Sequence, residues 1–383
     1  MIFDSESVFE ESVITVLKQH GWKDGVLRYP TERDLLDNWK DILYRNNNDI
    51  DRLGKYPLTD GEMAQIIEQI ETLRTPLALN SFVNGRTVSI TRDNKEDVAH
   101  FGKEVSLYIY DRKEIAGGKS TYQIAQQPVY PAKNKMLNSR RGDLVLLING
   151  MPLIHIELKK SGIPVSQATN QIEKYAHEGV FTGLFRLVQI FVAMNPDDAV
   201  YFANPGVDKF NPSYYFHWAD YNNEPICGGQ NPGKDEWKLF IGGTSGTAGL
   251  LSIPMAHQLI GFYTIADSAD GCLKVLRSYQ YIAANAISDV VRKCDWEQRP
   301  ATPGRPGGYV WHTTGSGKTM TSFKSAQLIA DSHDADKVVF LMDRIELGTQ
   351  SLKEYRSFAD SETEVQGTEN TGVLRDKLNS TNV

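Results

Sequence analysis

With 383 residues the chain is long enough for two or three domains, each with a sizeable core, and its 40% hydrophobic and 23% charged content is ordinary for a globular protein. A net charge of −7 excludes broad electrostatic coating of a polyanion, so any contact with nucleic acid has to be local. No basic leader followed by an apolar stretch occurs, nor any run of about eighteen apolar residues, so a cytoplasmic protein without membrane contact is expected.

In chain order, Met1 to Leu17 carry Val8, Phe9, Val13, Ile14, Val16 and Leu17 at helical spacing, with Glu10 and Glu11 on the same segment, and the pattern stops at Gly21-Trp22. From Thr31 to Leu77 two further helical stripes follow, Leu35, Leu36, Trp39, Ile42 and Leu43, then Met63, Ile66, Ile67, Ile70 and Leu73; both read as core. Val88-Ser89-Ile90 and Val105 to Tyr110 alternate as strands, and Gln127 to Tyr130 leads into a loop holding Lys133, Lys135, Arg140 and Arg141 without an acid. These strands are expected to extend the sheet of the segment that follows. The basic loop is either a lip that guides phosphates or a solvated surface.

That next segment concentrates the chemistry. Leu144 to Ile148 and Leu153 to Leu158 flank Asn149-Gly150, a strong hairpin signal. Alternation puts Ile154, Ile156 and Leu158 on a core face, and His155, Glu157 and Lys159 on a polar one. Asp143 before the first strand and Glu157-Leu158-Lys159 on the second bring together two carboxylates and an ammonium. Two carboxylates can hold Mg²⁺ and a lysine can steady developing negative charge, the requirements of phosphodiester hydrolysis. A plain two-residue turn would set Asp143 opposite Ile156, on the wrong face, whereas a three-residue turn or a bulge, eased by Pro152 with no N–H, sets it opposite Glu157. The odd-length turn is expected. Ser166 to Glu178 is helical, with Gln171 and Tyr175 sharing a face.

On these residues the stretch resembles the PD-(D/E)xK nucleases of the RecB-like kind, and Asp143…Asn149-Gly150-Met151-Pro152-Leu153…Glu157-Leu158-Lys159 resembles the R (motor and restriction) subunit of type I restriction enzymes. One departure is Gly142, where the motif's name has proline. The resemblance implies an α/β nuclease domain with a mixed sheet flanked by helices. It also implies Asp143 and Glu157 as Mg²⁺ ligands, Lys159 as the charge-stabilising residue, and Gln171 and Tyr175 as supports for DNA or metal. Glu10 would be the acidic residue brought from the first helix, and Arg140, Arg141 and Lys160 would contact DNA.

Leu187 to Met194 reads as a buried strand, whereas Asn195 to Gly249 is irregular and rich in aromatics, among them Tyr214, Tyr215, Phe216 and Trp218, which fill small local cores or stack on bases. Cys227, Cys272 and Cys294 are odd in number and widely spaced, which supports neither a disulfide framework nor a zinc site.

A second chemistry follows at Gly308 to Thr319, a strand entering a Gly-rich turn and then a helix from Met320 to Ala330. In Thr-Gly-Ser-Gly-Lys-Thr, backbone N–H groups of Gly315, Ser316 and Gly317 can wrap phosphates, Lys318 can reach the terminal ones and Thr319 can hold Mg²⁺. His312 stands where the strict pattern wants glycine, so the turn resembles motif I of superfamily 2 helicases. Arg277 and Gln280 resemble their adenine-sensing motif, since a Gln amide can pair with an adenine edge. Val338 to Met342 reads as a second parallel strand, and Asp343-Arg344 resembles a motif that contacts DNA.

Together these readings give a PD-(D/E)xK endonuclease domain over residues 1–203, a connecting region over 204–255, and over 256–383 the start of a RecA-like parallel α/β lobe that binds ATP. No motor carboxylate pair follows Asp343, so an N-terminal fragment of a longer protein is expected. The resemblance implies cleavage of double-stranded DNA coupled to ATP-driven translocation, with methyltransferase and specificity subunits as partners. A helicase–nuclease of DNA repair and a non-cleaving ATP-dependent remodelling module are the alternatives.

Overall fold

The computed structural model describes residues 2–23, 25–115, 118–131, 140–229, 235–293, 307–359, 364–368 and 370–380. They pack as two compact units, Met1–Thr264 with Gly271–Val275, and Ile265–Asp270 with Leu276–Val383. Among the described residues no helix is long and apolar enough to cross a membrane.

The first unit is a mixed α/β structure. Its elements are α1 (Glu6–Gln19), β1 (Val26–Arg28), α2 (Glu32–Asn46), α3 (Asp60–Thr72), α4 (Pro76–Asn84), β2 (Thr87–Thr91), β3 (Glu104–Tyr108), β4 (Tyr122–Gln126), β5 (Val129–Tyr130), β6 (Arg140–Arg141), β7 (Leu144–Ile148), β8 (Met151–Leu158), α5 (Val165–His177), β9 (Ile190–Met194), β10 (Ala199–Ala203), α6 (Glu236–Gly242) and α7 (Ile253–Gly261). The first three helices start where side chains cap them. Ser5 accepts from Val8 N, and Thr31 and Thr59 form capping boxes with Asp34 and Glu62.

A six-stranded sheet in the order β1-β4-β7-β8-β9-β10 forms the centre. β1 runs parallel to β4 and β8 parallel to β9, and the remaining neighbours are antiparallel. Every residue of β4, β7, β8, β9 and β10 is buried, as strands covered on both faces require. Ala168 and Ile172 of α5 pack with Phe191, Ala193, Val200 and Phe202 of the sheet. His155 lies beside Phe191 in register, so α5 covers the face that bears His155 and Glu157. The polar face expected on the hairpin is therefore interior, not solvated.

β2 and β3 do not extend this sheet; among the described residues they pair only with each other. Their burial alternates, so they can offer only one apolar face, which suits a flap on α3 and not a strand covered on both sides. Arg92, fully buried, ties that flap down through Glu62 at 2.6 Å and Asp97 at 3.0 Å. The described residues of 204–255, a stretch expected to connect two domains, pack as part of the first unit. Trp237 of α6 sits edge-on against Phe9 of α1 at 5.2 Å, and Trp22 Nε1 donates to Leu251 O at 2.8 Å. Some of the aromatics there fill cores, with Tyr215 stacked on Phe202 at 4.1 Å and Trp218 buried against Tyr201, whereas Tyr214 and Tyr221 are exposed.

The second unit holds α8 (Ser278–Lys293), α9 (Lys318–Asp331), α10 (Ile345–Phe358) and α11 (Thr371–Asn379). Phe323 of α9 packs on Tyr355 and Phe358 of α10. The expected parallel strands at 308–312 and 338–342 are not formed. A parallel strand exists only through its neighbours' hydrogen bonds, and among the described residues of this unit neither apolar run has a strand beside it. Trp311 and Leu341 are left 88% and 92% exposed.

Candidate active site

The site is set by how β7 turns into β8. Asn149 and Gly150 adopt φ of +52° and +83° in a two-residue turn, with Ile148 paired to Met151. Asn149 is fixed there, because its Oδ1 accepts from Thr121 N at 2.9 Å and its Nδ2 donates to Ile109 O at 3.3 Å. The odd-length turn expected from sequence is thus absent. The register changes instead inside the ladder: Leu147 pairs with Pro152 but Leu146 with Ile154, leaving Leu153 as an extra residue on β8. Pro152, with no N–H to lose, adjoins this bulge. Beyond it Leu144 faces Ile156, so Asp143 falls opposite Glu157 and the two carboxylates share a face.

Their surroundings are short of compensating charge. Glu157 is fully buried, and neither carboxylate oxygen accepts a hydrogen bond. Lys159 Nζ lies 3.6 Å from Oε1 and His155 Nε2 lies 3.4 Å from Oε2. Burial pushes Glu157 up to about 8, with Lys159 opposing. Burial, reinforced by Glu157, also raises Asp143 well above the ordinary carboxylate range, although Leu158 N donates to its Oδ2 at 2.7 Å. Glu10 is buried too, and its carboxylate accepts from Gln126 Nε2 at 2.6 Å and Gln127 Nε2 at 3.2 Å. Burial raises Glu10 as well, and its charge reaches Asp143.

Among the described residues no three His, Cys, Asp or Glu side chains converge as a complete metal cage. Mg²⁺ does not need one, since it commonly keeps several waters and takes one or two protein carboxylates. Two neighbouring acids with raised affinity for protons, one of them, Glu157, buried with both oxygens unpartnered, fit a divalent cation by the chemistry of the donor set.

Gln171 and Tyr175 meet as their spacing requires. Gln171 Nε2 donates to Tyr175 OH at 2.7 Å, and that hydroxyl donates to Arg141 O at 2.9 Å. The pair therefore braces the strand that enters Asp143. With Arg140, Gln167, Asn170 and Lys174 it lines a groove of about 460 Å³. Arg140 is not free for phosphate: both its Nε and Nη2 donate to Glu178, at 2.8 and 2.9 Å. Arg141 stands over the ring of Tyr29 at 5.9 Å, and Lys160 Nζ donates to Asp4 O at 3.2 Å. Lys133 and Lys135 of the expected basic lip, and Cys294, lie outside the described residues; Cys227 is a buried free thiol.

In the second unit Gly315 and Gly317 each take φ of +79°, and α9 begins at Lys318, so a glycine turn leads into a helix there, the local shape expected of a phosphate loop. Lys318 Nζ donates to Thr313 O at 3.0 Å, across the loop, and Thr319 begins the helix beside it. Gln280 does not present its amide to a base: Oε1 accepts from Arg277 N at 2.9 Å and Nε2 donates to Gly317 O at 3.2 Å. Tyr279, held by Arg277 Nη1 at 3.1 Å, donates to Ser316 O at 2.9 Å. The motif before α8 grips the loop itself. Arg344 is exposed at the start of α10, 3.9 Å from Asp343.

Several site residues escaped the sequence reading. Tyr130 OH hydrogen-bonds His155 Nδ1 at 2.8 Å directly beneath the carboxylates, and Glu6 Oε1 lies 3.5 Å from Lys159 Nζ. The signal for Glu6 was available, since it lies one helical turn before Glu10. For Tyr130 there was none, because β5 is two residues long.

Comparison with known proteins agrees with both halves. Residues 279–383 match the SWI2/SNF2 ATPase family. Over 386 aligned residues the chain is 31% identical to a type I restriction enzyme endonuclease subunit of Staphylococcus saprophyticus, covering 99% of this chain and 36% of that protein. It is 32% identical over 381 residues to an endonuclease subunit of Staphylococcus aureus, with the same coverage, and 29% identical over 217 residues to one of Escherichia coli, covering 55% of this chain and 62% of that protein. The chain thus spans about a third of the length of its staphylococcal relatives. Residues 4–210, more than half of the chain, match the family described as type I restriction enzyme R protein N terminus, and the chain belongs to that family.

Proposed function

We propose that the chain is the nuclease-bearing part of a type I restriction R subunit, cutting double-stranded DNA with Mg²⁺ in a PD-(D/E)xK endonuclease domain carried by residues 1–203. From Leu276 onward it would contribute the ATP-binding start of a RecA-like motor that pulls DNA, working in the cytoplasm beside methyltransferase and specificity subunits. The observation that supports this reading is buried Glu157, both of its carboxylate oxygens unpartnered, with Asp143 opposite it in the ladder and Lys159 at 3.6 Å. The endonuclease names of the relatives point the same way.

In this reading Asp143 and Glu157 hold the divalent cation, and Glu10 adds negative charge from α1. When bound, that ion polarises a phosphoryl oxygen and lowers the pKa of water enough to supply hydroxide at neutral pH. Lys159 is held between Glu157 and Glu6, where its ammonium can stabilise charge developing on the scissile phosphate. Tyr175 and Gln171 keep the approach to Asp143 in place through Arg141 O. Arg141 and Lys160 on the nuclease side, and Arg344 on the motor side, are the proposed DNA contacts, and Arg140 would join them only on leaving Glu178. In the motor, Gly315, Ser316 and Gly317 would cradle phosphates, Lys318 would move from Thr313 O to them, and Thr319 would hold the nucleotide's Mg²⁺. Arg277 and Gln280 would set the loop's shape.

Asp143→Ala or Lys159→Ala in the complete enzyme is expected to lower DNA cleavage at least a hundredfold while leaving DNA-stimulated ATP hydrolysis near wild type. Cleavage that survives both substitutions would refute the assignment.

A further inference from the structure

We propose that Tyr130 and His155 are a positioning pair for Glu157, and that Gly142, standing where the motif's name has proline, is the residue that makes room for them. The inference rests on the metal-dependent reading of Asp143 and Glu157. It concerns residues that neither the motif nor its spacing names.

His155 and Glu157 alternate on β8 and so share a face. The imidazole is enclosed by Phe181 at 5.5 Å, Phe191 at 6.0 Å and Tyr175 at 6.3 Å, all edge-on. Inside that aromatic shell it meets the Tyr130 hydroxyl at Nδ1, 2.8 Å away, and Glu157 Oε2 at Nε2, 3.4 Å away. A neutral imidazole has one donor and one acceptor nitrogen. If Nδ1 accepts from the Tyr130 O–H, the proton sits on Nε2, on the side of Glu157 Oε2 3.4 Å away, with no hydrogen bond formed between them before a cation binds. The opposite tautomer would aim a lone pair at Glu157 and leave the tyrosine proton without this partner. The pair therefore orients Glu157 through one oxygen, Oε2, while Oε1 stays on the side of Lys159. Tyr130 is itself fixed, its ring edge-on to Phe185 at 4.6 Å.

Gly142 is tied to this arrangement by space. A Cβ there would stand 2.5 Å from the Tyr130 hydroxyl oxygen and 2.9 Å from His155 Cε1. Real Cβ atoms do not approach so closely, and neither ring has a free end to swing away. Any larger residue at 142, proline included, would push the hydroxyl and the imidazole apart.

The test is Mn²⁺ binding to the full chain, measured by titration calorimetry, with thermal unfolding followed for each variant. Tyr130→Phe and His155→Asn are expected to weaken Mn²⁺ binding about 10–100-fold, the usual effect of losing a partner that orients a metal ligand. His155→Gln, whose amide nitrogen can stand in for Nε2, should bind close to wild type, and Gly142→Ala should behave like Tyr130→Phe. Wild-type affinity in Tyr130→Phe and His155→Asn would overturn the proposal. So would equal losses in His155→Asn and His155→Gln, which would mark a packing role. If His155→Asn does not fold, Tyr130→Phe decides alone, since it removes only a hydroxyl. Glu157→Ala separates the two levels: unchanged Mn²⁺ binding in that variant would sink the metal reading itself, whatever the pair does.

Discussion

Two carboxylic acids set side by side, Glu157 buried and Asp143 half-buried, oppose folding. Glu157 in the folded chain holds its proton up to about 8, against an ordinary value near 4.5, and Asp143 is raised too. In that window the folded state binds more protons than the unfolded one, so stability is fully present below the unfolded value and is lost as pH rises toward 8. With chelator present, the melting temperature of the first unit should therefore fall between pH 5 and pH 8. Adding Mg²⁺ at pH 8 should restore it, because the cation replaces the missing protons. Glu157→Gln should flatten the pH dependence and raise the metal-free melting temperature at pH 8 by several degrees, as measured by scanning calorimetry in matched buffers. A variant that keeps the wild-type slope would show that Glu157 does not titrate where its burial places it.

At the level of elements, the hairpin was legible in outline and its inner register was not. Asn149-Gly150 announced a turn, and the alternation after Leu153 put Glu157 and His155 together, both local properties of the chain. Whether Asp143 joined them depended on a bulge at Leu153, which no local signal separates from a longer loop. β4 went unnoticed because Tyr122-Gln123-Ile124-Ala125-Gln126 has no long apolar run; its glutamines are buried by tertiary contacts, with Gln123 hydrogen-bonded to Asn38 and Gln126 to Glu10. β2 and β3 were read as strands correctly, but pairing partners are a long-range property and were assigned wrongly. Gln171 and Tyr175 were legible because four residues on a helix fix proximity, while Tyr130 and His155, 25 residues apart, were not. The turn also yields a stability test. Gly150 has φ of +83°, and a Cβ would lie 2.9 Å from Trp39 Cα. Gly150→Ala should cost about 1–3 kcal/mol in urea unfolding, from backbone strain together with the clash.

Over the whole molecule, the two units carry separate chemistries and should respond to separate ligands. Lys318→Ala should abolish ATP-induced protection of α9 from hydrogen exchange and leave Mn²⁺ binding at Glu157 unchanged; loss of both would mean that the loop also supports the first unit's fold. Net charge at −7 gives no sign of the nucleic-acid role proposed for the chain, and of the cations proposed to contact DNA Arg140 is engaged by Glu178. Motif order was legible in the second unit, since a phosphate loop is a contiguous string, but its strands were not formed. Strand formation there depends on neighbours that a local pattern cannot supply. Exposed Trp311 and Leu341 should make that unit prone to self-association, visible as concentration-dependent sedimentation that Trp311→Ser with Leu341→Ser reduces.

The bulge on β8 has an evolutionary corollary. Asp143 and Glu157 are fourteen positions apart, and the bulge adjusts that distance so that both fall on one side of a two-sided ribbon. Parity, more than length, is what selection must guard in this interval. On the metal-dependent reading proposed above, gain or loss of a single codon between them would turn one acid away and silence cutting in a protein that still folds, whereas paired gains or losses could drift freely. Among related sequences, odd indels here should mark subunits that have lost the power to cleave.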